Sequence, residues 1–197
     1  MIKYSLLDYN TSKKITERYN NFNFYSNKFI MNGFNIESFS YFLCDYNNFK
    51  NPLKESPDIN AFNMRGITYI FNKDGSLYKT FYVLPKFFNI NQVENTQYDI
   101  IKNKKIKICT EKADRSCIMF YQLPDGSIHP KTLMGFDNDQ VKAARKIYDQ
   151  STSTEEFRDI NFELIYKDLS CLIKFCLSKD YTPIFEYISY SNRIVLE

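Results

Sequence analysis

Tryptophan is absent from the chain, glycine and proline number only five and six, and there is a single histidine. So little glycine and proline excludes a long flexible linker. The five cysteines (Cys44, Cys109, Cys117, Cys171 and Cys176) contain no C-x-x-C pair and no zinc-type spacing. That pattern excludes a zinc module and leaves reduced, mostly buried thiols as the expectation. No apolar stretch approaches the length of a membrane span, and the opening residues Met1-Ile2-Lys3-Tyr4 lack the apolar run of an export signal. A cytoplasmic protein with no membrane partner is therefore expected, in the host cytoplasm should the source be viral. A large charge imbalance is missing too: 26 Lys and Arg face 23 Asp and Glu, a net +3. That excludes a histone-like or tail-type nucleic-acid binder while permitting a phosphate-bearing partner. Internal repeats and low-complexity tracts are absent.

Aromatic residues are abundant instead. The 16 tyrosines and 18 phenylalanines, alongside many Asn, Lys and Ile, reflect an A+T-rich genome rather than an activity. With 197 residues, 44% of them hydrophobic, the chain suffices for one domain with a real core.

Along the chain, residues 1–35 read as polar and aromatic, with a helix expected over 11–19 and started by Thr11 or Ser12. A strand is expected over 36–45, then an Asn/Pro/Lys loop to residue 60. Two hairpins stand out. The runs 67–71 and 77–83 flank Asn72-Lys73-Asp74-Gly75-Ser76, and the runs 117–123 and 128–134 flank Pro124-Asp125-Gly126-Ser127. Asp-Gly suits turns that need positive φ. Residues 106–110 alternate like a half-buried strand. Asp137 or Asn138 can cap a helix reaching about Tyr148, with Val141, Ala144, Arg145 and Tyr148 on one face. A second helix, broken or not, fits 154–178, with Leu169, Leu172, Ile173 and Cys176 as its apolar stripe, and a strand follows over 184–188. Strands and helices mix without a β-α-β rhythm, so the fold class is α+β.

Chemistry concentrates at Glu111-Lys112-Ala113-Asp114-Arg115-Ser116, directly after the strand expected at 106–110. A lysine amine becomes a nucleophile when burial or nearby cations depress its pKa. Taken alone, the string is a weak match and reads as a surface turn with an incidental lysine. The Asp-Gly-Ser strings at Asp74 and Asp125 carry Asn72 and Leu123 where such a lysine would stand, and read as plain turns. His129, which precedes Pro130, reads as a turn residue. The cluster Lys102, Lys104, Lys105 and Lys107 reads as a solvated loop ahead of an RNA contact.

The Lys112 string has company in a fixed order. Upstream stand Met64-Arg65-Gly66-Ile67 and Leu84-Pro85-Lys86-Phe87-Phe88-Asn89. Downstream come the hairpin with Lys131-Thr132 and then Phe185-Glu186-Tyr187-Ile188-Ser189-Tyr190-Ser191-Asn192-Arg193-Ile194-Val195. This series resembles the ATP-dependent RNA ligases of the T-even phage tRNA-repair type, over roughly residues 60–197 and weakly upstream through Ser40-Tyr41. The resemblance implies a nucleotidyltransferase domain of antiparallel sheets with flanking helices, with residues 1–60 as an N-terminal segment and 61–197 as the nucleotide-binding core. It implies Lys112 as the nucleophile that takes AMP from ATP, with Asp114 beside it in the nucleotide site. Arg65 and Lys86 would neutralise the triphosphate and the leaving pyrophosphate, and Lys131 would add a cation. Glu186 would contact the ribose, and Phe88 would support the pocket. ATP and magnesium are the implied cofactors, and RNA, tRNA with broken ends included, is the implied partner.

Without the resemblance, each of these residues has a plainer reading. Arg65 and Lys86 are strand-edge charges, one of Phe87 and Phe88 is core, Glu186 lies on a solvated strand face, and Asn192-Arg193 is a loop. Two departures from the family pattern also bear on activity. Arg115 stands where the family has glycine, a residue that permits close backbone approach to a nucleotide. The family's later Glu-Gly and Lys-x-Lys motifs do not occur, so a domain incomplete at its C-terminus is expected, with a second polypeptide as a candidate source of the missing groups. A non-catalytic nucleotide- or RNA-binding descendant is the alternative.

Overall fold

The computed structural model describes residues 4–20, 22–107, 116–133, 135–151 and 169–188. Lys112, Asp114, Arg115, the first half of the helix expected over 154–178, and the Asn192-Arg193 string lie outside the described residues.

The first helix, α1 (Tyr9–Arg18), begins earlier than Thr11 because Asp8 supplies the cap: its carboxylate accepts the Thr11 amide at 2.7 Å. Ser12 is buried on the inner face instead, its hydroxyl 2.8 Å from that of Tyr69. Two strands follow, β1 (Phe24–Met31) and β2 (Phe34–Tyr41), paired antiparallel in full register. They are joined at Asn32 and Gly33, with φ of 53° and 80°, the conformation in which two-residue hairpins match strand twist. The polar-aromatic reading of residues 1–35 passed over β1, although Asn-Gly was its signal.

A short helix α2 (Tyr46–Lys50), capped by Asp45, interrupts the loop expected to run to residue 60. The hairpin β3 (Ile67–Phe71) and β4 (Leu77–Phe81) stands where it was expected. At its turn the Asp74 carboxylate accepts the Ser76 amide at 2.9 Å, and Asp125 does the same for Ser127 at 3.0 Å in the second hairpin. Both Asp-Gly-Ser strings are thus turns. Pairing of β2 with β3 makes a four-stranded sheet, β1-β2-β3-β4, that draws on both sides of residue 60.

Residues 105–107 form no strand, and 108–110 fall outside the described residues. A single turn of helix, α3 (Tyr98–Ile101), leads into the exposed lysines Lys102, Lys104, Lys105 and Lys107. The second sheet has the order β6-β5-β7, from β5 (Ser116–Gln122), β6 (Ile128–Thr132) and β7 (Ile184–Tyr187). Helices α4 (Asp139–Ser151) and α5 (Leu169–Ser178) cover its outer face. The stripe of α5 is centred on Ser170, Ile173 and Leu177; Leu169, Leu172 and Cys176 are only half-buried. The result is an α+β fold of two antiparallel sheets with flanking helices. Among the described residues no helix is long and apolar enough to cross a membrane.

One core lies between the sheets and under α4 and α5, with Ile36, Ile70 and Phe81 meeting Tyr121, Phe120 and Ile173. The other fills the far side of the first sheet, where Phe39, Ile67 and Tyr69 pack with Ile15, Phe49 and Phe62. Each fully buried side chain of this size contributes about 1.5–3 kcal/mol. Helix α4 is started by Asn138, which accepts the Val141 amide at 2.9 Å and donates to the Thr132 hydroxyl at 2.9 Å. Replacing Asn138 by alanine is expected to lower stability by about 1 kcal/mol. Urea unfolding of the two proteins measures it, and an unchanged midpoint would show that the cap contributes nothing.

Two expectations are corrected. None of the four described cysteines is buried: Cys44, Cys117 and Cys176 are intermediate, Cys171 is exposed, and all are free thiols. Cys44 lies in the loop after β2, Cys117 on the central strand of the second sheet, and Cys171 and Cys176 on the flanks of α5. His129 is a strand residue of β6, its ring stacked 6.1 Å from that of Tyr121.

Candidate functional site

Arg65 and Gly66 form the turn into β3. The Gly66 amide donates to the Phe39 carbonyl at 2.8 Å, at a φ of +97° that side-chain-bearing residues rarely adopt. Space is short as well: a Cβ here would lie 3.2 Å from a Leu133 methyl and 3.3 Å from the Leu133 carbonyl oxygen. The turn aims the Gly66 carbonyl inward, where it accepts from Lys131 Nζ at 3.1 Å.

Lys131 is 1% exposed. It pairs with Met119 across β5–β6, on the sheet face that meets the first sheet, and its ammonium also donates to the Ser38 hydroxyl at 3.0 Å. Alternation from Ile128 and Pro130 would send Lys131 to solvent, but the first sheet covers that side too. Burial lowers its pKa from the usual lysine value to about 7. In this conformation the amine is engaged inside the protein, beneath Arg65 and Gly66.

Arg65 and Lys86 lie on the outer side of the same turn. The Lys86 amide donates to the Phe62 carbonyl at 2.7 Å, which ties the segment after β4 to the residues before β3. Its ammonium sits 5.9 Å from the Tyr41 ring centroid and 5.3 Å from that of Phe88. Burial and then the charge of Arg65 lower the Lys86 pKa, so the two cations are neighbours. Among the described residues neither has a carboxylate ion-pair partner. Phe88 is half-buried against Tyr46, Phe49 and Phe62, with ring centroids 5.3, 6.4 and 5.8 Å away. Phe87 is 49% exposed, with the Arg65 guanidinium 5.0 Å from its centroid. Of the adjacent phenylalanines, Phe88 joins the margin of the core.

Glu186, exposed on β7, is the register partner of Cys117 on β5. The Cys117 thiol is pushed up by burial and by Glu186, against the opposing pull of Arg65 and Lys131. These four groups therefore share one electrostatic neighbourhood at the start of β5. Ser116, the first residue of that strand, follows Lys112 by four positions. Arg65, Lys131 and Glu186, distant in sequence, are brought together there, with Lys86 beside Arg65. Phe88 packs instead with Tyr46, Phe49 and Phe62 at the margin of the other core. The sequence reading did not single out Tyr41 beyond its weak resemblance, nor Cys117 or Ser38. Tyr41 has a raised pKa, from burial chiefly and opposed by the adjacent Arg65.

The chemistry on offer is anion binding: two outward cations without carboxylate partners among the described residues, one inward amine, and one carboxylate at the rim. No group of three metal-donor side chains occurs among the described residues, so these do not form a metal cage. The fold and this cluster define an α+β domain with a cationic rim. The family model for RNA ligase matches residues 63–197, more than half of the chain, and the chain belongs to this RNA ligase family of T-even phage type. No curated protein matches the chain.

Proposed function

We propose that the chain is an ATP-dependent RNA ligase of nucleotidyltransferase fold, joining RNA 5′-phosphate and 3′-hydroxyl ends, those of broken tRNA among them, through a lysyl-AMP at Lys112. The observation that carries this reading is the convergence of Arg65, Lys131 and Glu186 on the start of β5, four positions after Lys112 in the sequence, with Lys86 beside Arg65. The neutral Lys112 amine attacks the α-phosphorus of ATP, a P–N bond forms, and the bond to pyrophosphate breaks. Arg65 and Lys86 take up the charge of the departing pyrophosphate, an electrostatic contribution worth roughly a hundredfold per donor. Asp114 contributes to the nucleotide site, and Glu186 accepts from the ribose. AMP then passes to an RNA 5′-phosphate, and a 3′-hydroxyl displaces it to seal the strand. Magnesium would be held chiefly by phosphate oxygens, as it is where a protein offers one or two carboxylates.

Lys131 acts from beneath. Its hydrogen bond to the Gly66 carbonyl holds the turn that carries Arg65. Residues 1–60 belong to the same unit as the nucleotide-binding core at 61–197, since β2 pairs with β3.

Incubation with labelled ATP and magnesium, followed by denaturation, tests the reading. Label is expected on the protein, absent in Lys112→Ala and reduced about a hundredfold in Arg65→Ala. A second reading, an impaired ligase descendant, is favoured by the arginine at position 115. It is supported if only Arg115→Gly takes label, while label appearing only with a second polypeptide present would indicate a split enzyme. Label in none of these settings sinks the proposal.

A further inference from the structure

Phe87 is a large aromatic ring left about half exposed, 49%, on the segment that follows β4. The Arg65 guanidinium occupies one side of it at 5.0 Å, and Lys86 precedes it in the chain. From Tyr82 to Val93 the segment carries no carboxylate. Its apolar neighbours Leu84 and Ile90 are 52% and 62% exposed, so the remaining surface of the ring opens onto solvent rather than into the core. Phe88, by contrast, is the ring that packs inward. A flat apolar surface beside two cations is the pairing that single-stranded nucleic acids use, with bases on rings and phosphates on basic side chains.

We propose that Phe87 is the stacking surface for the terminal base of an RNA strand whose phosphate meets Arg65 and Lys86. The identity of the strand rests on the RNA-joining reading above. A strand fits better than a lone nucleotide: a base held on one open face gains little burial, and neighbouring phosphates on the same strand supply the remaining attraction.

Because the chain has no tryptophan, Phe87→Trp places its sole tryptophan at this surface, excited at a wavelength the tyrosines do not absorb. A short 5′-phosphorylated oligoadenylate is expected to quench it saturably. Phe175→Trp on α5 is the matched control, an exposed ring 6.0 Å from the Lys179 ammonium, and is expected to stay unquenched. Phe87→Ala and Phe87→Leu should weaken binding of the same oligonucleotide roughly tenfold, and Phe87→Tyr should restore it. Quenching by ATP alone, equal quenching at position 175, or unchanged affinity in Phe87→Ala overturns the proposal. The readout needs no covalent step, so a chain that never takes label from ATP still reports whether this contact forms.

Discussion

The Lys131→Met protein is expected to resist urea better than the unsubstituted chain at pH 6, by about 1–4 kcal/mol. The ammonium lies at 1% exposure with a serine hydroxyl and a glycine carbonyl as its partners. Neither carries a compensating charge, and desolvation lowers the pKa to about 7 from the 10.5 of a free lysine. The sign follows from linkage. Between pH 7 and 10.5 the unfolded chain binds more protons at this site than the folded one, so stability rises with pH across that window. Below about pH 7 the amine is charged in both states, and the folded state bears the full cost of the buried charge. Methionine fills similar space without the charge, and Thr68, whose hydroxyl is 2.9 Å from the Gly66 carbonyl and 3.3 Å from the Ser38 hydroxyl, remains to serve both. The advantage of Lys131→Met is therefore expected to be largest near pH 6 and to shrink steadily toward pH 10. Unfolding midpoints at pH 6, 8 and 10 decide the matter. If the variant were less stable at pH 6, the two hydrogen bonds would outweigh the charge. A lysine retained at such expense fits a working role at the Arg65 turn.

Gly66→Ala is expected to destabilise by about 1–3 kcal/mol through backbone conformation alone, since φ is +97°. Crowding adds to it: the new methyl would meet the Leu133 backbone at 3.3 and 3.4 Å, which cannot swing aside as a side chain would. Gly75→Ala provides the comparison, at a φ of +86° with nothing within 4 Å of the added carbon. Thermal unfolding of the pair isolates the crowding contribution, and equal losses would show that Leu133 moves without cost. The turn also aims the Gly66 carbonyl at Lys131 and sets the base of Arg65. Labelling by ATP is therefore expected to fall in Gly66→Ala at temperatures where the fold persists, and to be unaffected in Gly75→Ala.

Local chemistry made much of this legible in advance. The Asp74 and Asp125 turns, the β3–β4 and β5–β6 hairpins, and the Asn138-capped helix each depend on a few adjacent residues, so they could be read along the chain. The errors arose where tertiary contacts override local signals. Ser12 looked like a cap and became an interior hydroxyl once Tyr69 faced it. Lys131 was expected only as a further cation near the phosphates, and its burial could not be read from the strand, because the first sheet covers the face that helices do not. His129 followed a turn in sequence but entered the ladder, where Tyr121 stacks on it.

By itself, then, the order of residues determined the α+β character, the hairpin turns and the family, because motifs such as Lys-Phe-Phe-Asn and Arg-Gly are read in one dimension. Only the tertiary structure decided that Arg65 and Lys86 are neighbours, that Lys131 is buried, and that Phe87 rather than Phe88 faces outward. The physical reason is that charge spacing and burial depend on which surfaces the two sheets present to each other, and no local pattern specifies how two sheets dock.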